Sequence, residues 1–97
     1  MTGMELNIKL LRDIEKEQGG AYYLLDTQQY AKNFDELLSA FREYYPDTQI
    51  AYSYKTNYTP RLCHLVEQLG GYAEVVSDME YEITRRLGIP TNKVHFN

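Results

Sequence analysis

The clearest alternation of apolar and polar positions runs from Thr27 to Pro46. Tyr30, Phe34, Leu37, Leu38, Phe41 and Tyr45 fall at i, i+4, i+7, i+8, i+11 and i+15, one face of a long amphipathic helix that the proline ends. Upstream, Leu6, Leu10, Leu11 and Ile14 at helical spacing predict a helix over residues 4–17, broken by Gly19 and Gly20. Between the two, "AYYLLD" is a short aromatic and aliphatic run that predicts a buried strand over residues 21–26. Residues 49–55 return to strand character. Thr59 and Pro60 then supply an N-cap and a proline at the first helical position. Leu62, Leu65, Val66 and Leu69 form the inner stripe of that helix, and Gly70-Gly71 ends it. "YAEVV" predicts the next strand, and Ser77 with Glu80 fits a capping box opening a helix to Leu87. Gly88 and Pro90 close it before a last strand, "KVHF".

Strand starts near residues 50, 71 and 93 are separated by 21 and 22 residues, each gap filled by one helix. Consecutive βα units have this rhythm, and parallel strands joined by helical crossovers follow from it. The fold class expected is α/β. A closed (β/α)₈ barrel takes roughly 250 residues, so the 97 residues predict the front part of a TIM-like barrel, truncated. On this reading residues 1–20 are an N-terminal helical segment. Residues 21–97 hold a first strand and the initial βα units, with the rest of the barrel absent.

In such units functional groups gather at the carboxyl ends of strands, where Lys55 stands. Alternation puts Ala51, Ser53 and Lys55 on one side of the strand and Ile50, Tyr52 and Tyr54 on the other. Lys55 is either a solvated strand end or an amine placed to form an imine with a carbonyl compound. Glu74 favours the second reading. It interrupts an otherwise apolar strand, and a carboxylate inside an α/β core needs a cation or a polar ligand near it.

Composition narrows the classes. A formal net charge of −4 with scattered basic residues speaks against a nucleic-acid surface. Acidic groups run through the apolar part of the first residues, which reads as neither signal peptide nor membrane span. One cysteine, Cys63, makes no internal disulfide, and with only His64 and His95 beside it no zinc-ligand spacing exists. No metal is expected, the cytoplasm is the expected location, and both histidines read as structural.

The stretches "YYLLD", "IAYSYKTN", "GGYAEVVSDMEYE" and "LGIPTNKVHFN" resemble, in order and spacing, the opening of the pyridoxal-phosphate-dependent decarboxylases of the alanine-racemase-like barrel fold. Diaminopimelate and ornithine decarboxylases typify that family. The resemblance covers residues 21 onward and about the front quarter of a typical member. It implies that Lys55 is the catalytic lysine, holding pyridoxal 5′-phosphate as an internal aldimine, and that Glu74 and Glu80 also contact the cofactor. Glutamate at 74 departs from the family's usual aspartate, and Glu80 has a full structural explanation in the capping box. The implied function is a carboxy-lyase of amino-acid metabolism, with diaminopimelate and lysine biosynthesis leading. Ornithine- or arginine-type or carrier-linked substrates, or a catalytically silent homologue acting as a binding or regulatory module, are the alternatives. Racemase-type or cofactor-carrier relatives fit less well, since they lack the "VVSDMEYE" pattern. A homodimer is implied for the full-length protein, with self-association and little activity for these 97 residues alone. The phosphate-binding loop, the ring-stacking histidine and the substrate-recognising residues are expected beyond Asn97.

Overall fold

The computed structural model describes residues 5–97. Helix α1, Ile8–Gln18, starts where the Asn7 side chain accepts a hydrogen bond from the Leu10 amide at 2.9 Å, and it ends at Gly19. It buries none of its residues. The expected start at residue 4 lies outside the described residues. Helix α2, Thr27–Arg42, is capped by Asp26, whose carboxylate accepts from the Gln29 amide at 3.0 Å. Its stripe buries Phe34 and Leu38 but leaves Leu37 and Phe41 exposed.

Three parallel strands follow in the order β1 (Ala51–Ser53), β2 (Tyr72–Val75), β3 (Val94–Phe96), so β2 is central. Their register aligns Ser53 with Glu74 and Glu74 with His95. Helix α3, Pro60–Gln68, joins β1 to β2, and helix α4, Asp78–Arg86, with a short 3₁₀ turn over Thr91–Lys93, joins β2 to β3. The βα rhythm expected from the spacing is therefore the architecture observed.

The strand expected at residues 21–26 is not formed: this segment pairs with no strand, and Tyr23 and Leu24 are exposed. β propensity alone does not make a strand, because the backbone needs a ladder partner. The Tyr22 hydroxyl donates to the Leu11 carbonyl at 3.1 Å, which ties the segment to α1 instead.

The core lies on one side of the sheet. Ala73 and Val75 of β2 pack with Tyr54, Cys63 and Ile89, flanked by Tyr81, Ile83 and Leu87. A second cluster joins Phe34 and Leu38 of α2 to Val66 of α3. Alternation then sends Ala51, Ser53, Tyr72, Glu74 and His95 to the opposite face, which no helix covers among the described residues. Ala51, Tyr72 and His95 are exposed there, and Ser53 and Glu74 are half-buried.

At the α3–β2 junction, Gly70 takes φ +88, and the Gly71 amide bonds the Val66 carbonyl at 2.9 Å. A Cβ at Gly71 would sit 2.7 Å from Val66 Cγ1 and 3.0 Å from Phe34 Cζ. The second cluster closes against the bare backbone there.

Candidate active site at the carboxyl end of the sheet

Lys55 lies just past the last residue of β1. The Tyr54 amide makes one further ladder bond, to the Glu74 carbonyl at 3.0 Å, and the Thr56 amide turns back to the Ser53 carbonyl at 3.2 Å. Lys55 thus occupies a tight turn at the carboxyl end of the sheet. Tyr54, directly before it, is 1% exposed, while Lys55 is exposed. One residue roots the turn in the core, and the next offers its amine to solvent. Lys55 lines an open cleft of about 450 Å³ together with Thr56, Asn57, Tyr58, Thr59 and Pro60. Among the described residues no carboxylate forms an ion pair with it, so the side chain is available to a ligand.

Glu74 stands one strand away on the helix-free face. It accepts a hydrogen bond from the Ser53 hydroxyl at 3.4 Å. The register pairs Glu74 with Ser53, two residues before the lysine, and the carboxylate is held by that serine. His95 stands on the far side of Glu74 in the same register row. Sequence reasoning set this histidine aside as structural, yet it is exposed on the face that carries Ser53 and Glu74.

Glu80 is 5% exposed at the start of α4. Its carboxylate accepts from the Ser77 hydroxyl at 3.0 Å and from the Val76 amide at 3.3 Å, while its own amide donates to Ser77 Oγ at 3.2 Å. Both carboxylate oxygens are used in closing the β2–α4 turn. The structure thus joins Ser53, Glu74 and Lys55 at one end of the sheet and gives Glu80 a local capping role beside them.

The covered side carries the shifted phenols. Burial, with a smaller contribution from Tyr30, pushes Tyr52 up to about 12, so it holds its proton and acts as a donor. Burial also raises Tyr54 and Cys63. The Tyr54 hydroxyl faces the Cys63 thiol, but that contact lies outside normal hydrogen-bond geometry and leaves the oxygen without a proper partner. His64 is exposed on α3. Among the described residues, no group of three or more His, Cys, Asp or Glu could hold a metal, and no helix is long and apolar enough to cross a membrane.

The described residues thus put an exposed lysine past the carboxyl end of the first of three parallel strands and a half-buried carboxylate on the next. Residues 31–97 match the family described as pyridoxal-dependent decarboxylase, pyridoxal binding domain, and the chain belongs to that family. The cofactor this indicates is pyridoxal phosphate. The chain is similar to the diaminopimelate decarboxylase of Aquifex aeolicus, 36% identical over 66 residues, which are 67% of this chain and 16% of that protein. It is similar as well to the diaminopimelate decarboxylase of Methanocaldococcus jannaschii, 28% identical over 89 residues, 88% of this chain and 20% of that protein. The chain therefore spans a fifth or less of the length of these relatives. No solved structure matches it with significance.

Proposed function

We propose that the chain forms the opening part of the (β/α)₈ barrel of a pyridoxal-phosphate-dependent carboxy-lyase, with Lys55 as the residue that attaches the cofactor. The observation that carries this reading is the exposed Lys55 in its turn at the carboxyl end of β1, without an ion pair among the described residues and lining an open cleft. The residues present fit the aldehyde end of pyridoxal phosphate, because they supply a free amine and, one strand over, a carboxylate fixed by Ser53. Diaminopimelate is the substrate we assign, a reading supported by the names of both relatives, and a role in lysine biosynthesis is part of the proposal. A cytoplasmic homodimer completes the proposal.

When bound, pyridoxal phosphate supplies the electron sink that makes loss of an α-carboxylate feasible. The chain's own contribution is positional. Lys55 would hold the cofactor through its side-chain amine. Glu74 would add a carboxylate on the neighbouring strand, and Ser53 keeps that carboxylate from turning away. Glu80 braces the turn that follows Glu74, and any contact it makes with cofactor is added to that role.

Titrating the protein with pyridoxal phosphate and recording the visible absorbance of the bound cofactor tests the reading, with Lys55→Ala as control. The expected result is a band present in the wild type and lost in the variant. A band of equal strength in Lys55→Ala would overturn the assignment of Lys55.

A further inference from the structure

The loop after Lys55 is tied down more firmly than its exposure requires. Asn57 is exposed, yet its side-chain oxygen accepts two hydrogen bonds, from the Thr59 amide at 3.0 Å and the Thr59 hydroxyl at 2.7 Å. Its backbone carbonyl accepts a third, from the Tyr52 hydroxyl at 2.8 Å. Tyr52 belongs to β1, where its ring packs edge-on against Tyr30 of α2, with centroids 6.3 Å apart. The strand that leads into Lys55 thus reaches over the turn and holds the chain that leaves it.

Thr59 shows what this arrangement displaces. It sits at the N-cap position of α3, yet its side chain makes no capping bond to the helix. Its hydroxyl is committed to Asn57 instead. A helix start in which threonine forgoes its usual cap to fasten an exposed asparagine is organised around the loop and not around the helix. The Asn57–Thr59 unit is also a shared wall. It lines the Lys55 cleft and a second cleft of about 510 Å³ formed with Tyr23, Leu24 and Leu25.

We infer that Asn57, clamped between the Tyr52 hydroxyl and Thr59, is a positioning residue that fixes the turn carrying Lys55 and so presents its amine to a carbonyl ligand. The inference rests on the proposed role of Lys55 as the cofactor-attaching residue. Hydrogen bonds this exposed carry little of the fold's stability. Holding a nucleophile in one geometry, by contrast, acts directly on its rate of reaction. In Asn57→Ala the Thr59 hydroxyl is freed to cap α3, which further separates loop order from global stability.

Two readouts on the 97-residue chain test this together. The first is the rate of pyridoxal phosphate capture at Lys55, trapped by borohydride reduction, with capture at exposed Lys16 as internal reference. The second is the backbone order of the amides of residues 55 to 58 by ¹⁵N relaxation. Asn57→Ala and Tyr52→Phe are expected to slow capture at Lys55 by about tenfold. They should lower amide order across the loop and leave both the Lys16 rate and the melting temperature nearly unchanged. Asn57→Asp, whose carboxylate can accept the same two bonds, is expected to restore the order and most of the rate. Unchanged amide order in Asn57→Ala would overturn the inference whatever the capture rates show. Capture at wild-type Lys55 no faster than at Lys16 would instead overturn the cofactor-attachment reading, while the relaxation data still decide whether the clamp exists.

Discussion

At the residue scale, the chain's most informative contrast lies between two neighbours, Tyr54 sealed in the core and Lys55 in solvent. The Tyr54 hydroxyl is buried without a proper partner, and an unsatisfied buried polar group costs about 1–3 kcal/mol. Tyr54→Phe is therefore expected to leave stability unchanged or raise it by about 1 kcal/mol, read as a shift in the urea midpoint at constant slope. A loss of more than about 1 kcal/mol would show that the hydroxyl has a partner in solution. Lys55 could be picked out in the sequence because position and alternation placed it at a strand's carboxyl end. Glu74 could be found because a charge in an apolar run stands out. Its partner could not, because a cross-strand hydrogen bond from Ser53 depends on register, which the sequence leaves open until the strands are aligned. Asn57 was invisible for a similar reason: an exposed asparagine in a loop is ordinary until its three bonds are seen.

At the element scale, helices were legible from periodicity and punctuation. Pro60 at the start of α3, the Ser77–Glu80 box and Gly70-Gly71 each act where the sequence placed them. Strands were legible only where neighbours exist to pair with them. "AYYLLD" and "YAEVV" look alike as sequence, but the second has β1 and β3 on either side and the first has no ladder partner. Gly71 gives a sharp test of how α3 meets the sheet. Its added methyl would collide with Val66 and Phe34, both buried, so Gly71→Ala is expected to destabilise the chain by about 1–3 kcal/mol. Chemical denaturation measures this, and a change below about 0.5 kcal/mol would mean that the second cluster is looser than described.

At the scale of the whole molecule, the core packing of the described residues falls on one side of a three-stranded parallel sheet, although such sheets are ordinarily covered on both faces or closed into barrels. The face carrying Ser53, Glu74 and His95 is the one a closed barrel would turn inward, consistent with the proposed domain. β1 and β3 are edge strands of the sheet, and Leu37, Phe41, Tyr44 and Tyr45 form an exposed apolar stripe on and just after α2. Such edges and patches drive association, so the 97-residue chain is expected to self-associate as its concentration rises. Light scattering checks this, and a monomer throughout would contradict it. The central claim concerns one amine among five lysines, Lys9, Lys16, Lys32, Lys55 and Lys93. The most direct measurement is to reduce the pyridoxal phosphate complex with borohydride at limiting cofactor and map the modified lysine by peptide mass spectrometry. The account predicts the adduct at Lys55 in large excess over the other four, and an even spread among the exposed lysines, or a preference for another, would contradict it.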